Sequence, residues 1–282
     1  MKSVVIKSPE QKEYEWHAKR HGKITASTLP DLMKAGKGTP FGKAFFDALY
    51  LVRYERRTGV TRENGSNKAF DWGHENEPLA VEWVRTQLID EVKSCTTDFE
   101  DIVFNEPFAG FGDSPDFYVY GSDGEIKALG EIKCPMNQGK IETLQFFKEI
   151  TEKDEYYWQF LGHFVGMPTV DTLYYVVYDG HTNTGRIVAM YREEHVDNIR
   201  KLTERIRFAN ELVECSLKTG FDLPACIELA TAICPLRLQI EELKPKTKGN
   251  VPVQNQIRKL KKEINKLIAE ERLIHNTLLI NN

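Results

Sequence analysis

The chain has 282 residues, 41% hydrophobic and 28% charged, which is enough apolar material for a buried core and excludes disorder for the bulk of it. The formal net charge is −4 and unevenly spread: residues 241–282 hold nine Lys/Arg against five Asp/Glu, the rest 29 against 37, so charge neither supports nor excludes a polyanionic ligand. No apolar run reaches the ~18–20 residues of a membrane helix. The opening MKSVVIKSPEQKEYEW turns charged before a signal-peptide stretch can develop. Five cysteines with no C-x-x-C pair argue against a disulfide framework or a zinc knuckle, and a reducing cytoplasm is the expected compartment.

In chain order, Pro9 to Arg20 reads as a helix, and Ser27 or Thr28 caps a second, short one that stops at Gly36. GKGTPFG is a loop without the spacing of a phosphate-binding P-loop. A long helix is expected from about Lys43 to Arg57, a polar loop over RTGVTRENGSNK, and a further helix over ENEPLAVEWVRTQL. The middle then changes period. Aromatic and β-branched residues predict strands near 101–112, 115–121 and 125–133, followed by a helical region over about 138–166. TLYYVVYDG and TGRIVAMYR read as two more strands, and EEHVDNIRKLTERIRFANELVE as a long amphipathic helix. This order predicts an α/β (α+β) domain over residues 1–220, with a central mixed sheet flanked by helices. A helical C-terminal extension over 221–282 follows: a short helix over FDLPACIELATAICP, a linker at about 243–252, and a helix over 253–280. Its apolar positions Val253, Ile257, Leu260, Ile264, Leu267, Ile274 and Leu278 fit a heptad seam, either folded back on the body or paired as a coiled coil.

The sharpest chemical feature is Gly112-Asp113-Ser114-Pro115-Asp116, fourteen residues, then Glu131-Ile132-Lys133. If the two segments form a hairpin they converge, and strand alternation puts Glu131 and Lys133 on one face with Ile132 pointing away. Two carboxylates beside one lysine suit metal-dependent phosphodiester cleavage: hard oxygens hold Mg²⁺ or Mn²⁺ while the ammonium orients or helps deprotonate water. A surface ion pair has the same residue pattern.

Three further segments join SPD and EIKCP: WHAKRHGKITAS (Trp16–Ser27), WGHENEPLA (Trp72–Ala80) and YYWQ (Tyr156–Gln159). In this order they resemble the lambda-exonuclease and YqaJ-type viral recombinase family of the PD-(D/E)XK nucleases, over roughly residues 12–215. The resemblance implies a PD-(D/E)XK nuclease-like core and a Mg²⁺-dependent 5′-to-3′ exonuclease on linear duplex DNA, with Mn²⁺ able to substitute. It would leave 3′ single-stranded tails for phage-type recombination. It implies a metal held by Asp116, Glu131, Glu77 and the Ile132 carbonyl, and Lys133 acting on the attacking water. Gln159 and Tyr156 would position water or DNA, and Arg20 and Ser27 would grip a terminal 5′-phosphate. The family further implies a toroidal homotrimer, a single-strand annealing partner and a bacterial host cytoplasm.

Each residue also has a plainer reading: Arg20 as a solvated helix residue, Glu77 as a first-turn helix acid with Glu75 as its competitor, Gln159 as a surface amide. His17 and His21 have i, i+4 spacing without further ligands nearby, and Cys134, Cys215, Cys226 and Cys234 lack iron–sulfur spacing. Trp16, Trp72 and Trp158 read as core or cleft packing residues, with base-stacking platforms as the competing reading. The rival functions are an endonuclease of the same superfamily, which would cut closed circular DNA, and a non-catalytic DNA-binding scaffold.

Overall fold

The computed structural model describes residues 7–61, 68–99, 103–146 and 149–280. Helix α1 (Pro9–Arg20) starts at a capping box in which Ser8 and Gln11 each accept the other's backbone N–H. A two-residue strand β1 (Ile24–Thr25) and one 3₁₀ turn lead into α2 (Leu29–Met33), and α3 (Lys43–Thr58) follows. Helix α4 runs Lys68–Gln87, so it begins well before Glu75 and Glu77 lies in its middle, not its first turn. Residues 62–67, part of the expected polar loop, lie outside the described residues.

Among the described residues five strands build the main sheet: β2 (Glu91–Ser94), β4 (Phe117–Tyr120), β5 (Ile126–Lys133), β6 (Thr172–Asp179) and β7 (Thr184–Tyr191), in the order β2-β4-β5-β6-β7. Only β5 and β6 are parallel; the other neighbours are antiparallel. Strand β2 is absent from the sequence expectation, because EVKS is too short and charged to display a period. The strand expected over 101–112 shrinks to β3 (Phe111–Gly112), which pairs in parallel with β1. Residues 101 and 102 lie outside the described part, and the chain before β3 is loop, interrupted by Pro107 and by Gly110 at positive φ. The expected helical region resolves into α5 (Gln138–Gln145) and α6 (Tyr157–Gly166), which bridge β5 to β6 as a parallel pair requires.

The sheet is covered on both faces. Ala80, Val81 and Val84 of α4 pack on Val92, Phe117, Val119, Ala128, Ile132 and Val176. On the other face Tyr118, Leu129, Leu173, Tyr175 and Val177 meet α2, α3, α6 and the long helix α7 (Val196–Thr219). The alternation of β5 therefore turns Glu131 and Lys133 toward α6 and Ile132 toward α4.

Helix α8 (Ile227–Leu243) runs on through Pro235, where the short helix was expected to stop, because Leu229, Ala230, Ile233 and Ile240 are buried on both sides of the proline. A 3₁₀ turn at Lys244–Lys246 and a turn at Gly249 connect to α9 (Val251–Ile280). Ile257, Leu260, Ile264 and Ile268 of α9 are buried in the same core as α7 and α8, so the seam is folded back on the body. Leu267 packs half-buried beside it, Ile274 is exposed, and the side chain of Leu278 lies outside the described part. Among the described residues no single helix is long and apolar enough to cross a membrane.

Candidate active site

The end of β5 gathers the acidic residues. Glu131, 4% exposed, is contacted from three directions: Lys133 Nζ at 2.6 Å and Gln159 Nε2 at 2.5 Å donate to Oε1, while His163 Nε2 lies 3.0 Å from Oε2. Burial opposes its charge, but Lys133 and His163 outweigh burial and hold the carboxyl down at about 2. Lys133 is likewise opposed by burial and still raised, since Glu131 and Asp116 favour the ammonium.

Asp116 precedes β4 and accepts the backbone N–H of Ile132 at 2.6 Å. In a strand a residue's N–H and C=O leave by the same edge. The Ile132 carbonyl therefore faces the Asp116 side, beyond the last β4 rung at Phe117 and Gly130. Burial raises the Asp116 carboxyl well above the ordinary range, and the charges of Glu131 and Glu77 add to that. Glu77 is raised by burial and then by Glu131. The helix start at Lys68 and Pro78 one residue on put Glu77 in the interior of α4, which replaces the first-turn reading.

Gln159 is not a surface amide, since it bonds Glu131 and is only partly exposed. Tyr156 stands just before α6, its hydroxyl accepting from Lys140 at 2.8 Å and its ring 4.9 Å from Lys133 Nζ. Sequence reasoning missed two residues here. His163 is fully buried between Glu131 and Asp113, with Nδ1 2.8 Å from Asp113 Oδ1, and Asp113 is also fully buried. Both contacts are at ion-pair distance without hydrogen-bond alignment. Burial disfavours the imidazolium, yet the two carboxylates raise its pKa to about 10. Gly166 makes this approach feasible, because a Cβ there would stand 2.5 Å from Asp113. The signal was available: His163 is one helical turn beyond Gln159 on α6.

Arg20 and Ser27 meet at a second place. After α1, Gly22 takes a positive φ of 67°, with its N–H donated to Glu55 and its carbonyl accepting from Arg56, both on α3. That turn brings the chain back so that Arg20 donates to Ser27 Oγ at 3.1 Å and Thr25 Oγ1 at 3.3 Å, over the Trp16 ring. They line a pocket of about 130 Å³ with Thr28 and Glu55. Ala26, beside Ser27, packs on Gly162, beside His163, so α6 touches both places.

Of the other sequence candidates, His21 lies 3.1 Å from Thr61 Oγ1, His17 packs edge-on to Trp16, and Trp72 stacks on His181. Among the described residues no three His, Cys, Asp or Glu side chains stand gathered as a finished metal site. The donor chemistry at β5 nevertheless fits a hard divalent cation: Glu131 is close enough to oppose the ionisation of Glu77, both oppose that of Asp116, and a backbone carbonyl faces the same side.

A family model for the YqaJ-like viral recombinase domain matches residues 15–165, more than half of the chain. The chain belongs to that family. The match contains Arg20, Ser27, Glu77, Asp116, Glu131, Lys133, Tyr156, Gln159 and His163, and ends before β6. A solved structure described as a phage-related exonuclease from Haemophilus somnus 129PT is similar at 17% identity and a TM-score of 0.49, over 69% of this chain and 96% of that one. No curated protein matches the chain.

Proposed function

We propose that this YqaJ-family protein is a Mg²⁺-dependent 5′-to-3′ exonuclease on linear double-stranded DNA, leaving 3′ single-stranded tails for phage-type recombination. The observation that supports it best is the convergence on one strand end of Asp116, Glu131 and Lys133 with Glu77 and Gln159 from flanking helices. Asp116, Glu131, Glu77 and the Ile132 carbonyl would hold Mg²⁺ or Mn²⁺, which supplies charge stabilisation of the phosphoryl oxygens and a more acidic water.

The chain's own groups do the rest. Lys133, kept as an ammonium by its carboxylate neighbours, donates to and orients the attacking water or a phosphate oxygen. Gln159 fixes the Glu131 carboxylate, and its amide keeps a second N–H that would donate to water or DNA. Tyr156, backed by Lys140, flanks the cleft. His163 holds Glu131 from behind and is a positioning residue. Arg20 and Ser27 receive the 5′-phosphate, with a forked guanidinium and a hydroxyl in a pocket small enough for a single anionic group. Glu55, which also lines it, accepts the Gly22 N–H, a contact that offsets part of its repulsion of an anion.

This reading places the protein in a bacterial cytoplasm, acting on DNA ends as a homo-oligomer (a trimer in the family's manner) beside a single-strand annealing protein. The catalytic unit ends near residue 220, with residues 221–282 as an appended helical part. The test is incubation of linear and covalently closed duplex with Mg²⁺ or EDTA. Loss of linear DNA alone, only with the metal, supports the reading; cutting of the closed circle points to an endonuclease, and cutting of neither to a scaffold.

A further inference from the structure

The connection between α8 and α9 and the first half of α9 concentrate positive charge on a protein whose remainder is acidic. Residues 244–266 contain Lys244, Lys246, Lys248, Arg258, Lys259, Lys261, Lys262 and Lys266 against the single acid Glu263, and all eight cations are exposed. Elsewhere lysines and arginines are repeatedly engaged by acids, as in the pairs Lys23–Glu106, Lys43–Asp47 and Arg237–Glu211. Among the described residues, seven of these eight make no ion pair; Lys266 alone meets an acid, Glu270 at 3.5 Å.

The cations are also ordered by the fold. Ile257, Leu260, Ile264 and Ile268 fix one stripe of α9 in the core. At 100° per residue the opposite stripe carries Arg258, Lys262 and Lys266 at i, i+4, i+8, with Lys259 alongside. The buried stripe makes α9 a rigid rod whose outer side cannot rotate away, and the stripe from Arg258 to Lys266 is about 12 Å long at 1.5 Å per residue. Duplex DNA presents one negative charge per about 1.7 Å of its axis, so that length faces about seven phosphate charges.

We propose that the outer face of α9, with the lysines of the preceding turn, is a second DNA-binding surface. It takes the phosphate backbone of the duplex without reading sequence and lies outside the family-matched catalytic region. It rests on the nuclease reading for the identity of the polyanion. Such a face raises the local concentration of duplex at an otherwise acidic protein and retains the substrate between cleavage events.

The experiment measures the affinity of the full chain for a 40-base-pair duplex between 50 and 200 mM salt, in EDTA so that no cleavage intervenes. Wild type is compared with a variant carrying Arg258→Gln, Lys259→Gln, Lys262→Gln and Lys266→Gln, which leaves the buried stripe intact. If three of the four reach phosphates, the slope of log K against log salt becomes shallower by about 2.7. The variant's deficit then shrinks about 40-fold between 50 and 200 mM salt. Lysine-to-arginine changes at 259, 262 and 266 keep the wild-type slope, which separates charge from helix packing. Neutralising Lys43 and Lys127, which are exposed cations on other elements, leaves the slope unchanged.

An unchanged slope in the four-site variant overturns the proposal, as does an equal change from Lys43 and Lys127. So does binding of an acidic protein, lost in the variant while its DNA affinity is kept. Failure of the nuclease reading shows instead as absence of cleavage by wild type with Mg²⁺, a readout independent of the slope.

Discussion

Replacing His163 by leucine tests the electrostatic frame behind the carboxylates. The ring is fully buried, 2.8 Å from Asp113 and 3.0 Å from Glu131, and both acids are buried with it. Leucine fills most of the volume, so the loss is chiefly the positive charge. Glu131 retains Lys133 and Gln159, whereas among the described residues no other cation is paired with Asp113. Removing one member of a buried ion pair costs about 3–5 kcal/mol. At roughly 2–4 °C per kcal/mol for a domain of this size, the melting temperature should fall by about 6–20 °C.

The pH dependence has a definite sign. The folded pKa of His163, about 10, lies above its ordinary value near 6.5, so its contribution is complete below about pH 6.5 and is lost as pH rises through 10. Wild type should therefore lose stability over that window relative to His163→Leu/Asp113→Asn, where neither group titrates. That double variant should also melt above His163→Leu, because the orphaned charge has gone. The assay is calorimetry in EDTA at pH 6, 8 and 9.5. A fall of less than 3 °C in His163→Leu at pH 6, or no recovery on adding Asp113→Asn, would refute the assignment of His163 as the counter-charge.

Lys133→Ala and Glu131→Ala should each abolish nearly all turnover with the fold retained, and only Glu131→Ala should weaken Mn²⁺ binding by titration; near-normal digestion by folded Lys133→Ala would remove the site. Wild type should digest 5′-phosphorylated duplex faster than 5′-hydroxyl duplex, and Arg20→Ala should erase that preference, a roughly ten- to hundredfold effect for a charge-assisted contact of about 1.5–3 kcal/mol. Equal slowing of both substrates would mean that Arg20 acts through its packing on Trp16. Removing residues 245–282 should leave cleavage of short duplexes largely intact, because every proposed site residue precedes it. The truncated chain should melt lower, since Ile257, Leu260, Ile264 and Ile268 no longer cover α7 and α8; a folded but inactive truncation would put α9 in the catalytic unit.

Local order determined much of this protein in advance. The helices α1, α3 and α7 and the strands β5, β6 and β7 follow from periodicities of 3.6 and 2, and the side on which Glu131 and Lys133 point follows from alternation along one strand. Motif order brought Asp116, Glu77, Gln159, Arg20 and Ser27 to notice. The tertiary structure decided what sequence distance conceals. Strand β2 has too few residues to show a period and exists because β4 offers it an edge. Helix α4 begins upstream of its motif, so Glu77 is a mid-helix acid. Asp113 and His163 look unremarkable fifty residues apart, and only the packing of α6 over β5 joins them to Glu131. The heptad seam of α9 was equally compatible with a partner helix and with its own body. Apolar spacing specifies that a stripe is buried, not against what, and α7 and α8 supplied the surface that settled it.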